Sequence, residues 1–133
     1  MTHIPPDFHS VTPFLCLADA EGFLAFVQAA FGAQIRMVHR HEGRVQHAEF
    51  SVEGSVLELG EARPGAPSRP VALHVFVPDV DAAFARALAA GGTQTHPVTT
   101  HNYGERSGGI QDAWGNDWYV ATMTDVVART ATE

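Results

Sequence analysis

The chain has 133 residues, 45% of them hydrophobic, a length that predicts one domain: enough for a core, too short for two independent ones. Fifteen acidic against eight basic side chains give a net charge of −7, and no Lys/Arg cluster is visible, which argues against nucleic acid and anionic membrane as partners. A lone cysteine, Cys16, excludes an intrachain disulfide framework, and neither an export signal nor an apolar stretch of about 18 residues is seen, so the expected location is the cytoplasm.

In chain order, Val11–Leu17 is a mostly apolar run and reads as a strand. Asp19 then caps a helix in which Phe23, Leu24, Phe26, Val27, Ala30 and Phe31 recur at helical spacing until Gly32 ends it. Gln34–His41, Val45–Val52 and Ser55–Leu59 read as three further strands, with Glu42-Gly43 and Glu53-Gly54 as tight hairpin turns. Residues 61–70, EARPGAPSRP, have the Pro/Gly composition of a linker. A strand over Val71–Val77, a helix from Asp79 to about Ala90 and a weak strand over Thr93–Thr99 follow. Then come a loop over His101–Gly109, a strand ending near Gln111, the turn Asp112–Gly115, a strand over Asp117–Met123 and a short helical tail, residues 124–133. The reading is βαβββ twice: a first module at 9–60, a linker at 61–70 and a second module at 71–123.

The two halves are also alike in sequence. Val11/Val71, Asp19/Asp79, Ala25/Ala85, Ala29/Ala89, Ala30/Ala90, Gly32/Gly92 and Gln34/Gln94 are identical at a constant offset. Such a repeat means two copies of one supersecondary unit that share a core, and their seam is the natural place for a ligand.

With VTPFLCLADAEGFLAFVQAAFGA and VALHVFVPDVDAAFARALAAGG as module starts, the strand pair GRVQHAEFSVEGSVLELGE and the ending YGERSGGIQDAWGNDWYVATM, the chain resembles the vicinal oxygen chelate superfamily. That superfamily comprises glyoxalase I, bleomycin resistance proteins and extradiol dioxygenases. The resemblance implies an α+β fold of two βαβββ modules whose curved sheets form a cup-shaped cavity, in a homodimer that can exchange modules. Functions in the family run from metal-dependent enzymes to metal-free drug binders that confer antibiotic resistance, so fold alone does not settle activity.

Side chains alternate along a strand, so one parity packs on the helices and the other lines the implied cup. Val11, Leu15 and Leu17 suit the helix side, leaving Thr12, Phe14 and Cys16 for the cup. Ala48, Phe50 and Val52 suit the core, which turns His47 and Glu49 inward, and burying Leu57 and Leu59 aims Glu58 the same way. In the second module Ala72, His74 and Phe76 face the cup, with Tyr119 and Ala121 on the last strand, or Trp118 if the register slips by one.

Where the family holds a metal, the resemblance carries the four positions over to Thr12, Glu58, Ala72 and Tyr119. Only Glu58 is a usual ligand, and alanine offers no donor, so no metal cofactor is expected at the standard site. A displaced divalent ion at His47, Glu58 and His74 is the alternative, one glutamate with two histidines being a known zinc set. Glu58 reads as a general base or hydrogen-bond anchor, with His47 as its acid/base partner, against a plain carboxylate paired with an Arg or His. His39 and His41 read as solvated, and Cys16 as an inert wall thiol. Arg106 reads as a grip for a carboxylate or phosphate, or as a salt bridge to Glu105 or Asp112. Tyr103 precedes it, and Phe14, Phe76, Trp114, Trp118 and Tyr119 supply rings for stacking on a planar ligand. No nucleophile elbow, Walker loop, H-E-x-x-H or zinc cysteine pair occurs. The expectation is a small-molecule binder without the usual metal. Its rival is a lyase, isomerase or dioxygenase using the displaced ion.

Overall fold

The computed structural model describes residues 3–130 and divides the chain into two units, 1–70 and 71–133. Each is a βαβββ module. The ends of the chain, residues 1–2 and the last three positions of the expected tail, 131–133, lie outside the described residues.

The first unit runs β1 (Phe14–Leu17), α1 (Ala20–Phe31), β2 (Gln34–His41), β3 (Arg44–Val52) and β4 (Ser55–Glu61). Its sheet has the order β1-β4-β3-β2, with β1 parallel to β4 and the other pairs antiparallel. Helix α1 starts at Asp19, whose Oδ1 accepts from the Gly22 N–H at 3.1 Å, and stops at Gly32 in the left-handed conformation. Its apolar stripe, Phe23, Val27 and Ala30, is fully buried with Leu15, Leu17, Ala48, Phe50 and Leu59. The Phe23 and Phe50 rings meet edge to face at 5.9 Å. Both Glu-Gly pairs have positive φ at both residues, 52° and 78° at Glu42-Gly43 and 48° and 82° at Glu53-Gly54, the twist that joins adjacent antiparallel strands tightly.

Strand β1 begins three residues later than its apolar run suggests. Pro13 has no N–H to donate to β4, so its carbonyl, accepting from Glu58 N, is the last link. Val11 beyond it is exposed rather than packed on the helix side. Residues 61–70 are not a free linker: Arg63 bridges to Ala66, and Arg69 pairs back to Cys16 on β1.

The second unit runs β5 (Ala72–Phe76), α2 (Val80–Ala89), β6 (Thr93–His101), β7 (Glu105–Gln111), β8 (Asp117–Met123) and α3 (Val126–Thr130). Its sheet order, β5-β8-β7-β6, repeats that of the first unit, again with the first strand parallel to the last. Asp79 caps α2 through the Ala82 N–H at 3.2 Å, as Asp19 caps α1. Val80, Ala83, Phe84 and Ala87 are buried, as are Val75, Ile110, Trp118 and Val120 of the sheet.

The expected loop 101–109 is a hairpin instead: β6 reaches His101 and β7 starts at Glu105, which places Ser107-Gly108-Gly109 inside a strand. Gly108 is needed there because a Cβ would stand 2.8 Å from the Phe84 ring of α2 and 3.0 Å from Val98.

The turn into β8 is built around Asp112, which is buried. Its Oδ1 accepts from the backbone N–H groups of Trp114 and Asn116, and its Oδ2 from Asn116 Nδ2 and Trp118 Nε1, at 2.9 to 3.0 Å. Asn116 in turn accepts from Val71 N, tying the start of the unit to this turn. The network fixes the β8 register, with Trp118 in the core and Tyr119 outward.

Candidate functional site

In the first unit, the strand parity that buries Leu15, Ala48, Phe50 and Leu59 turns Phe14, Cys16, His47, Glu49 and Glu58 to the sheet face opposite α1. Register then sets neighbours. Phe14 stands across from Glu58, and Glu58 across from Glu49. His47, two residues before Glu49, points to the same spot. Its Nε2 lies 3.1 Å from Glu58 Oε1 and 3.7 Å from Glu49 Oε2.

All three side chains are partly exposed, at 30% for His47, 22% for Glu49 and 25% for Glu58. The Phe14 ring stacks beside the imidazole, with centroids 6.0 Å apart and planes 29° apart, and is itself 54% exposed. Gly60 makes room for it, since a Cβ there would come within 3.2 Å of Phe14 Cζ and of the Gln46 carbonyl.

Among the described residues, depressions open on this unit, two of them beside these side chains. One, of about 360 Å³, is lined by Phe14, Cys16, Gln46, Gly60, Arg63 and Arg69. The other, of about 300 Å³, is lined by Ile4, Phe8, Thr12 and Glu58 among others. The Cys16 thiol donates to the Ala66 carbonyl at 3.4 Å.

The second unit has its own outward set. His74 Nε2 lies 3.3 Å from Glu105 Oε2, and Arg129 Nη1 donates to Glu105 Oε1 at 2.9 Å. The Arg129 guanidinium also sits 4.8 Å over the Phe76 ring, a cation–π placement that ties α3 to β5. His74 and Phe76 have ring centroids 4.6 Å apart. Tyr119 is 40% exposed and lies beside His96, and Tyr103 stacks on His101 in the β6–β7 turn.

Arg106 is on the other face. Its Nε and Nη2 hold both carboxylate oxygens of Asp81 on α2, at 2.9 Å each, and Nη1 reaches Thr100. This hydrogen-bonded pair holds the Asp81 carboxyl below its usual range and pushes the guanidinium up. Neither Glu105 nor Asp112 is the partner of Arg106.

The structure thus brings His47 and Glu58 together, adds Glu49 to them, and gives His74 a different carboxylate, Glu105. Glu105 and Asp112 are the buried acids that sequence reasoning did not assign. The first was hidden by reading residues 101–109 as a loop, the second by weighing Asp112 only as a turn residue or a surface partner of Arg106. Alternation along β7 was the signal for Glu105; the D-x-W-x-N spacing was the signal for Asp112.

Comparison with known proteins gives one family. The model of the Glyoxalase/Bleomycin resistance protein/Dioxygenase superfamily matches residues 8–120. An uncharacterized protein of Mycobacterium bovis is 31% identical over 121 residues, covering 82% of this chain and 80% of the relative. An uncharacterized protein of Mycobacterium tuberculosis matches equally, with 71% of its length covered. Among solved structures, TioX from Micromonospora sp. ML1 has a TM-score of 0.73 at 19% identity, covering 89% of this chain and 98% of that one. A glyoxalase-related enzyme from Fulvimarina pelagi has a TM-score of 0.65 at 21% identity, covering 86% and 88%. These likenesses show the α+β fold.

Proposed function

Given that the chain belongs to the Glyoxalase/Bleomycin resistance protein/Dioxygenase superfamily, we propose that it is a small-molecule-binding protein of the glyoxalase/bleomycin-resistance type, taking an apolar or aromatic ligand without the family's usual metal set. The observation that carries this is Phe14: a ring more than half exposed, beside the His47–Glu58 pair and on the wall of a depression. An exposed aromatic next to an imidazole and a carboxylate is the combination that gives a planar ligand affinity and orientation. In the second unit, Phe76, Tyr119 and His74 offer the same chemistry.

The family's resident ion does not fit this donor set. The four positions are Thr12 and Glu58 in the first unit and Ala72 and Tyr119 in the second, and only Glu58 offers a carboxylate or imidazole. His47 Nε2 and Glu58 Oε1, 3.1 Å apart, set an imidazole and a carboxylate side by side, within reach of a ligand carbonyl or hydroxyl.

The same reading makes the protein a cytoplasmic homodimer. Met123, Val126 and Val127, all more than half exposed, are the kind of apolar surface a second copy covers. Light scattering should then read twice 14.3 kDa.

The experiment is a thermal-shift screen of planar aromatic compounds bearing a hydrogen-bonding group, followed by calorimetry of the hits. Phe14→Ala should weaken a hit by about 1–2 kcal/mol, roughly 5- to 30-fold in Kd. Affinity unchanged in both Phe14→Ala and Glu58→Gln would refute the site.

A further inference from the structure

We propose that His47, Glu49 and Glu58 form a divalent-cation site on the outward sheet face of the first unit, sharing only Glu58 with the positions the family uses. The proposal does not depend on an organic ligand and is tested with metal alone.

Its basis is the strand geometry. His47-Ala48-Glu49 is an i, i+2 pair on β3, so both side chains leave the same face while Ala48 is fully buried. Register sets Glu58 of β4 directly opposite Glu49. Like charges directly opposite on antiparallel strands repel, and these two are each about three-quarters shielded from water. A single imidazole nitrogen serves both. It stands 3.1 Å from a Glu58 oxygen and 3.7 Å from a Glu49 oxygen, ion-pair range for both. Apart from that nitrogen, no donor or cation among the described residues pairs with Glu49. The patch therefore carries two carboxylates and one proton donor.

A divalent ion resolves this imbalance. Donors about 2.0–2.2 Å from one ion, at angles between about 90° and 110°, stand roughly 3–3.6 Å apart. The imidazole nitrogen and its two carboxylate oxygens are separated by 3.1 and 3.7 Å, and three such ligand atoms fall within 4.8 Å of one another.

One imidazole with two carboxylates suits Zn²⁺, Mn²⁺, Fe²⁺ or Co²⁺. Ca²⁺ wants six to eight oxygens and Mg²⁺ a mostly hydrated octahedron. Three protein donors leave coordination positions for water or for the oxygens of a ligand. The Phe14 ring lies beside the imidazole, with centroids 6.0 Å apart. His39 stands in register with His47 on β2, a further imidazole position at the same edge.

The test is titration of chelator-stripped protein with Co²⁺ and Zn²⁺ by calorimetry, with Mn²⁺ broadening of the amide spectrum to locate the ion. One equivalent should bind. Broadening should centre on His47, Ala48, Glu49 and Glu58. Glu49→Gln and Glu58→Gln should each weaken binding about 10-fold or more, as loss of one of three ligands requires, while Glu53→Gln in the neighbouring hairpin should not. The amide spectra of the variants show directly that they remain folded. No stoichiometric binding, binding indifferent to both glutamine variants, or broadening centred on His41 and Glu42 would each overturn the proposal.

Discussion

Asp112 should be the most costly polar side chain to remove, because four donors converge on it. Two of them, Asn116 Nδ2 and Trp118 Nε1, belong to residues that are 2% and 1% exposed, so truncation leaves them without water to turn to. Stranding a buried donor costs about 1–3 kcal/mol, and the backbone N–H groups of Trp114 and Asn116, freer to re-pair within the turn, add less. Asp112→Ala should therefore lose about 3–5 kcal/mol, a large part of the 5–15 kcal/mol typical of a folded domain. Asp112→Asn keeps an oxygen for the two backbone donors but sets an amide N–H₂ against Nδ2 and Nε1, and should lose about 2–3 kcal/mol. Urea unfolding followed by tryptophan emission reads both, since Trp114 and Trp118 report on the same turn. Asp117→Asn, on the half-exposed rim of β8, is the control. A loss below about 1 kcal/mol for Asp112→Ala would refute the reasoning, and with it the claim that this network sets the β8 register.

Three further outcomes are expected. Gly108→Val forces atoms against Phe84 and Val98 and should cost about 1–3 kcal/mol in the same assay, while Thr130→Val, on an exposed turn of α3, should stay within about 0.5 kcal/mol; equal tolerance would contradict the placement of β7. The Asp81 carboxyl is held below its usual range by hydrogen bonds from Arg106, so that pair supports the fold above about pH 4 and its support fades as pH falls through the lowered value. Raising Arg106 moves its own loss further above any working pH. The stability gap between wild type and Asp81→Asn should accordingly be present at neutral pH, shrink in acid and narrow with salt, and a gap constant down to pH 2 would be the contrary result. Arg129→Ala leaves buried Glu105 with His74 as its partner and releases α3 from Phe76; it should cost about 1–3 kcal/mol and speed amide exchange over residues 126–130, and unchanged exchange would disprove the tether.

Much of the fold was written in local chemistry. Asp19 and Asp79 cap their helices with their own carboxylates, and Glu42-Gly43 and Glu53-Gly54 adopt positive φ because turns of that hand require it. Period-two alternation through Ala48, Phe50 and Val52 was enough to turn His47 and Glu49 to one face, and through Leu57 and Leu59 to turn Glu58 there. What stayed hidden depended on partners far along the chain. Strand β6, nine residues long, reads from the sequence as no more than a weak strand over Thr93–Thr99, because a mostly exposed edge strand shows no apolar period. Gly108 and Gly109 looked like loop residues because their reasons lie far along the chain: the Phe84 ring, 24 positions before Gly108, and the Thr95 and His96 side chains of β6 against Gly109. Arg106 meets Asp81 across 25 positions, and nothing in its neighbourhood singles that partner out over Glu105 or Asp112. Val11 continues the apolar run of β1, yet Pro13 ends the ladder before it.

The central claim is that a small molecule occupies the sheet face bearing Phe14, His47 and Glu58. It is met most directly by following backbone amide shifts of the intact protein while a calorimetrically confirmed aromatic hit is titrated in. The account expects saturable changes concentrated at residues 14–16, 46–49 and 58–60, and their loss in Phe14→Ala. Changes gathered instead on the α1 face, around Glu21, Ala25 and Gln28, or no saturable change with any hit, would contradict it.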